Sequence, residues 1–403
     1  MQRYATLVLL CFLPSSLLQA SDSIEHFSSQ NEFETFKDSE NRQFDQSKEE
    51  FKLYKQQLLA AFDQYKNQTS RVWGSKNTAS PSSKNWINYL NDLQHRSVVD
   101  FEKGTIDVEI AVDANQNISD DEAQKQLQQT IINSLQQGSD KRSVLDMAKQ
   151  PVSQPSGAAV LDGMVAKQDG SSAARSDYTQ LAAQSMKSVK KKRIKGNDGK
   201  ARVIYKAQLR LVPNHIKIRA QKYKSQIEIN ALEQKIPSAM ILAIMETESM
   251  FNPTARSPVP AFGLMQLVPG SGARDAYKHL YNKDRIVSDI YLYKPENNIK
   301  LGTAFLNLLY YNYLAGIKNP ASRQWATIAA YNTGAGNVFR TFAGKYRKSR
   351  FGNRRKWKLA AYSEINKMSS DEVYAFLRKR LPYRETRSYM KKVSSKMKKY
   401  ESI

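Results

Sequence analysis

Two acids close an apolar run in this chain: Ile241-Leu242-Ala243-Ile244-Met245 is followed by Glu246-Thr247-Glu248-Ser249-Met250-Phe251. A carboxylic acid at the end of a greasy helix is a candidate proton donor, because burial disfavours its charged form and moves its pKa towards neutrality. Cleavage of a glycosidic bond demands a donor of that kind. On a helix, Glu248 stacks over Ile244 and Ile241, whereas Glu246 stacks over Leu242. The two acids sit two positions apart, so they do not face each other as the carboxylate pair of an ordinary glycosidase would. The helix is apolar all round, which favours burial of the whole element. Pattern alone does not choose between the two acids, and either one has the plain alternative of an ordinary helix-end residue.

Other chemistries find little support. The four histidines, His26, His95, His215 and His279, have no metal-ligand spacing, and Cys11 is the only cysteine. It falls inside a segment that reads as a secretory signal over residues 1–20. Arg3 opens this segment, Ala5 to Leu13 form its apolar core, and Leu18-Gln19-Ala20 makes a small-residue cleavage site. Its removal leaves no thiol for a disulfide, a nucleophile or a metal. Gly334 and Gly336 lack the strand-turn-helix setting of a nucleotide site. No cofactor and no metal are expected.

The acids belong to a C-terminal region, 214–403, where helical periodicity dominates between turn clusters such as Asn252-Pro253 and Asn319-Pro320. The preceding region, 21–213, reads as mixed α and β, so the fold class is α+β. Residues 21–43 are polar and expected to be loose. A helix is expected over Ser47–Asn67, its stripe Phe51, Tyr54, Leu58, Phe62 and Tyr65 serving core packing. Ile106, Val108, Ile110 and Val112 alternate with polar residues as in a half-buried strand, and Tyr205, Ala207, Leu209 and Leu211 do the same. If these strands share a sheet, the acidic face of the first meets the basic face of the second. Ser119 with Glu122 resembles a capping box before a helix over 123–135, and a second helix is expected over Arg142–Lys149. Residues 151–185 read as a flexible segment or long loop, and Lys190-Lys191-Lys192-Arg193 as a solvated loop.

The chain of 403 residues carries a formal net charge of +24. Such charge implies an anionic partner: nucleic acid, anionic lipid or an acidic polymer. An export signal argues against nucleic acid. The oligomeric state is not legible.

Five segments in register carry a resemblance. They are Glu248-Ser249-Met250-Phe251-Asn252-Pro253, Gly263-Leu264-Met265-Gln266, Lys294-Pro295-Glu296-Asn297-Asn298-Ile299 with Gly302 and Leu306, Ala330-Tyr331-Asn332-Thr333-Gly334-Ala335-Gly336, and Pro382 with Glu385-Thr386, Tyr389 and Val393. Together they resemble the lysozyme-like catalytic domain of the lytic murein transglycosylase family over roughly residues 220–400. Trp73-Gly74 and the run from Val99 to Glu109 look like the extra N-terminal domain of that family's membrane-bound C branch.

The resemblance implies cleavage of the MurNAc–GlcNAc β-1,4 bond of peptidoglycan, leaving a 1,6-anhydro sugar. One acid serves first as acid and then as base. By motif position that acid is Glu248. Ser249 is implied to orient the acid or nearby backbone. Gly263 would admit a ligand closely, Met265 would pack on sugar and Gln266 would hydrogen-bond it. Tyr331, Asn332 and Tyr389 would lie near the carboxyl or the substrate. Peptidoglycan strands are then the partner, and the basic surface suits the carboxylates of their stem peptides. The implied place is the periplasm, with a peripheral contact to membrane or cell-wall machinery left open. Leu9-Leu10 ahead of Cys11 makes a poor lipobox for an outer-membrane anchor. A goose-type hydrolase of the same bond would need a second acid, such as Asp275 or Asp284, and a non-catalytic peptidoglycan binder is the other alternative. Met250, where small or polar residues are common, is expected to be a tolerated surface change. Thr333 and the two prolines Pro258 and Pro260 leave their loop shapes open.

Overall fold

The computed structural model describes residues 30–116, 118–257, 260–343 and 354–401. The segment 1–20 read as a leader, with Cys11, lies outside the described residues, as do Pro258 and Val259. In chain order the helices are α1 (Gln30–Trp73), α2 (Asp120–Leu135), α3 (Val144–Lys149), α4 (Tyr178–Ser185), α5 (His215–Gln221), α6 (Lys224–Gln234) and α7 (Ser238–Ser249). Then come α8 (Gly272–Tyr281), α9 (Asp289–Leu292), α10 (Pro295–Asn307), α11 (Pro320–Thr333), α12 (Ala335–Phe342), α13 (Arg354–Ile365), α14 (Ser370–Arg380) and α15 (Arg384–Glu401). The strands are β1 (Asn85–Leu90), β2 (His95–Asp100), β3 (Thr105–Asp113), β4 (Lys190–Lys195) and β5 (Ala201–Arg210), an antiparallel sheet in the order β1-β2-β3-β5-β4.

The two expected strands pair with each other, Glu109 opposite Lys206 and Val108 opposite Ala207. The charge complementarity is realised: Lys206 Nζ lies 2.6 Å from Asp107 and 3.4 Å from Glu109. Alternation then sorts the sheet faces. Val99, Ile106, Val108, Ile110, Tyr205, Ala207 and Leu209 bury against α2 and α4. The opposite face carries Ile87, Tyr89, Ala111 and Ile204 into a core shared with α1 and the C-terminal helices. There Arg96 lies 3.7 Å over the ring of buried Trp73 and pairs with Glu109, its Nε donating at 2.6 Å. Ser119 caps α2 by accepting from the Glu122 amide at 3.2 Å, and Ser143 caps α3.

Three expectations need correction. The helix read as starting near Ser47 begins at Gln30, so residues 30–43 are helical; their Glu, Lys and Gln content has good helix propensity without an apolar stripe to announce it. Lys190-Lys191-Lys192-Arg193 is not a loop but most of the edge strand β4, whose residues are exposed apart from Ile194. Lysines on an edge deter pairing with another chain and erase the alternation that would have revealed the strand. Residues 151–185 are largely irregular but anchored, since Leu161, Met164 and Val165 are buried on the sheet. Among the described residues, no helix is long and apolar enough to cross a membrane.

One side chain ties the sheet to the helices. Arg219 of α5 is 3% exposed, donates to the carbonyls of Met250 at 2.9 Å and Phe251 at 3.0 Å, and lies 3.5 Å over the ring of Phe101. Met250, expected at the surface, is 7% exposed and belongs to the core of the sheet layer. It follows α7 in the left-handed region at φ 51°, which turns its side chain off the helix axis into that core.

Removal of one partner from the Arg96–Glu109 pair strands a buried charge. Glu109→Gln is expected to cost about 3 kcal/mol in urea unfolding; a loss under about 0.5 kcal/mol would refute this role.

Candidate active site

The helix α7 is apolar for physical reasons visible in its packing. Met240, Ile241, Ala243, Ile244 and Met245 have no exposed surface, because α7 runs through the helical layer between α6 and α15. Its final turn carries both acids, and the structure separates them. Glu246 is 6% exposed and turned towards α15, where Lys399 donates at 3.1 Å, Lys396 lies at 3.4 Å and Tyr400 donates a short hydrogen bond. Desolvation opposes its charge, but Tyr400, Lys396 and Lys399 outweigh it and hold the pKa below the usual carboxylate value. Glu246 is thus an ionised clamp between α7 and α15.

Glu248 keeps a partly exposed edge but has no such clamp. Burial pushes its pKa up from 4.5 to about 7; Glu385 adds to the rise, while Tyr389, Lys84 and Lys396 oppose it. Tyr389, on α15, is buried with its hydroxyl beside the Glu248 carboxyl, and among the described residues that hydroxyl has no other hydrogen-bond partner. Tyr331, on α11, acts on Glu248 electrostatically, and its hydroxyl donates to the Met265 carbonyl at 2.8 Å. Asn332 beside it has a buried Oδ1 with no hydrogen-bond partner among the described residues.

The Gly263-Leu264-Met265-Gln266 loop is held at nearly every atom. Ser249 donates to the Leu264 carbonyl at 2.6 Å, and Asn298 accepts from the Met265 amide at 2.8 Å. Asn298 also donates to the carbonyls of Phe262 and Leu292 at 2.9 and 2.8 Å. Gly263 has φ +75°, and a Cβ there would collide with Asn298 and the Leu292 carbonyl. A Cβ on Gly302 would collide with Met265. Gln266 is half-buried at φ 48° and donates to the Gly263 carbonyl at 2.9 Å, which leaves its side-chain oxygen as an acceptor.

Two expected contacts with substrate are therefore corrected, while Ser249 bonds backbone near the acid. Ser249 is fully buried and spends its hydroxyl on the loop. Gly263 accommodates Asn298 rather than a ligand, and Met265 packs against Gly302 rather than on a sugar. Of the expected site residues, Tyr331 and Tyr389 act on the Glu248 carboxyl, while Gln266 is bonded within its own loop. Asn298 and Arg219 were missed as positioning residues. Asn298 stands in a motif already noticed; Arg219 had no signal, because its carbonyl partners are invisible in sequence. Among the described residues no cluster of His, Cys, Asp and Glu could hold a metal ion.

Comparison with known proteins matches residues 225–354 to the Transglycosylase SLT domain. Residues 51–222 match the N-terminal domain of membrane-bound lytic murein transglycosylase C. The chain is 35% identical to the membrane-bound lytic murein transglycosylase C of Klebsiella pneumoniae subsp. pneumoniae over 83% of its own length and 87% of that protein. It is 34% identical to the protein of the same name from Salmonella arizonae, again over 83% and 87% of the two chains. The solved 70 kDa soluble lytic transglycosylase of Escherichia coli is 28% identical over 45% of this chain and 24% of that one, with a TM-score of 0.33.

The two acids predict opposite responses to neutralisation. The raised pKa of Glu248 means that the folded protein holds a proton the unfolded chain releases between pH 4.5 and about 7, so stability falls as pH rises through that window. Glu248→Gln should therefore stabilise the protein at about pH 8 by on the order of 2 kcal/mol and hardly at all at about pH 4. Glu246 has a lowered pKa, so its contribution is present above the carboxylate range and is lost as pH falls through it. Glu246→Gln should cost about 1–3 kcal/mol at neutral pH, fading in acid. Urea unfolding of both variants at the two pH values checks the signs; equal signs would refute the assignment.

Proposed function

The chain belongs to the family of membrane-bound lytic murein transglycosylase C, lyases that act on peptidoglycan, and from that premise we propose a single-glutamate reaction at Glu248. The observation that carries the proposal is one desolvated, unclamped carboxyl, poised near neutrality, beside Tyr389 and Tyr331.

In the proposed reaction the protonated Glu248 donates to the oxygen linking MurNAc C1 to GlcNAc. As the C1–O bond breaks, Glu248 becomes a carboxylate. It then takes the proton from the C6 hydroxyl of the same muramoyl residue, and that oxygen closes on C1 to give the 1,6-anhydro end. Tyr389, whose hydroxyl is otherwise unpaired, would donate to the transient carboxylate. Asn332 and Gln266 offer acceptor oxygens to sugar hydroxyl or amide groups. Ser249, Gly263, Met265, Asn298 and Tyr331 keep the loop opposite the acid in place.

The lyase reading is preferred to the goose-type hydrolase because the two candidate second acids are otherwise engaged. Asp284 is paired with Arg274 at 2.8 Å, and Asp275 is half-buried and accepts from the Tyr313 hydroxyl at 3.4 Å. Export to the periplasm completes the proposal, since peptidoglycan lies there; the leader assigned to residues 1–20 is its sequence support.

Mass spectrometry of digested sacculi tests the product. Anhydromuramoyl ends are expected, and reducing ends would overturn the lyase reading. Glu248→Gln should lower activity about 10²–10⁴-fold with the fold retained. The acid must begin protonated, so kcat/KM should be full below neutrality and fall as pH rises through about 7. Tyr389 lowers the pKa of Glu248, so Tyr389→Phe should move that falling limb to higher pH; an unmoved or lowered limb would exclude Tyr389 from this role.

A further inference from the structure

Away from the acid, α8 ends in an aromatic cluster that the reaction does not use. Tyr277 and Tyr281 have ring centroids 4.6 Å apart, and Tyr291 of α9 stands edge-on to Tyr277 at 6.3 Å. The hydroxyls of Tyr281 and Tyr291 are also coupled to each other. Tyr281 is 38% exposed, and the other two rings are half-buried. Two cations border the rings: Arg285 at 5.9 Å from the Tyr277 centroid, and Lys300 at 5.4 Å from that of Tyr281.

The cluster is fixed from below. The ion pair of Arg274 with Asp284 ties the loop after α8 back onto that helix. Ser288 caps α9 by accepting from the Tyr291 amide at 3.2 Å, and Asn297 donates to the Tyr291 carbonyl at 3.2 Å. Asp284 is thereby neutralised, while Lys283 and Arg285 beside it are exposed, so the rim is net positive.

The same helix connects this cluster to the acid. At the other end of α8, a Cβ on Gly272 would lie 3.0 Å from the Phe305 ring, and Phe305 packs on Tyr331 with centroids 5.5 Å apart. The 10 residues of α8 span about 15 Å. The aromatic cluster thus lies a few sugar units from the residues that flank Glu248.

We infer that Tyr277, Tyr281 and Tyr291 with Arg285 and Lys300 form a distal glycan-binding platform for the peptidoglycan strand being cleaved. The inference rests on the peptidoglycan reading of the previous section. A sugar ring presents flat C–H faces that lie on an aromatic face, while tyrosine hydroxyls at the ring edge bond to its hydroxyls. Guanidinium and ammonium groups suit the carboxylates of muramoyl stem peptides. A neutral polysaccharide would gain nothing from the two cations, and an acidic protein surface would gain little from the tyrosine faces.

The test measures affinity rather than turnover. In the full chain with Glu248→Gln, binding of purified glycan strands is measured by calorimetry against strand length. Affinity should rise with length until the strand reaches the platform. Addition of Tyr281→Ala with Arg285→Ala should lower affinity for the long strands about tenfold, to the value for the short ones, and Tyr281→Phe should retain the gain. A length dependence unchanged in the double variant would overturn the platform and leave the reaction at Glu248 standing. Absence of binding at every length would overturn the platform together with the peptidoglycan reading beneath it.

Discussion

The end of α7 depends on one buried cation. A helix terminates with unpaired carbonyls and a partial negative charge, and here that terminus carries the proposed acid and is held against fraying. Arg219 meets the carbonyls of Met250 and Phe251 while its flat face rests on Phe101. Burial lowers its pKa to about 10, far enough from neutrality to keep it charged. The recorded hydrogen bonds of Arg219 go to carbonyls, not to a carboxylate, so its charge is matched by dipoles and a ring. Both residues after the helix take positive φ, Met250 at 51° and Phe251 at 59°, a costly conformation that the guanidinium holds in place. Phe101 comes from the sheet layer, and so does the core that receives Met250. The geometry around Glu248 is therefore set jointly by the sheet and the helices.

A second consequence is the division of labour between the acids. Two positions along a helix turn a side chain through about 200°. That rotation points Glu246 at Lys399 and Tyr400 of α15 and leaves Glu248 beside Tyr389 of the same helix. One acid became a clamp because partners surround it; the other stays near neutrality because they do not. The loop opposite is rigid for a related reason. Ser249, Asn298, Tyr331 and Gly302 each bind or abut a different part of the Gly263–Gln266 segment. Motifs far apart in sequence are thus parts of one contact set.

Much of this was legible in sequence where periodicity or motif spoke. The β3–β5 pairing followed from alternation and from charges of opposite sign, and the apolar run of α7 announced its burial. The family resemblance singled out Glu248, which local physics had left level with Glu246. What escaped were features whose cause is tertiary. β4 hid because its lysines face solvent on an edge. Met250 looked like a surface residue because its burial depends on a left-handed turn and on a sheet built from the preceding region of the chain. Gly263 and Met265 sit in motifs that frame the site, and motif membership cannot distinguish a residue that touches a ligand from one that holds such a residue.

A single carboxyl that acts as acid and then as base needs both of its forms within reach at the working pH. At 4.5 it would be ionised and a weak donor; several units above neutrality it would be slow to take the second proton. Desolvation alone drives Glu248 upward, and Glu385 pushes the same way. Tyr389, Lys84 and Lys396 pull it back, and the balance settles at about 7. Lys396 is shared with Glu246, so the clamp also tunes the neighbouring acid. Lys84 belongs to the segment before β1 and is itself held by Glu102. The sheet layer therefore reaches Glu248 in two ways, by the mechanical lock through Arg219 and by the field of Lys84. A helical layer on its own would lack both, and its acid would sit higher in pKa on a looser helix end.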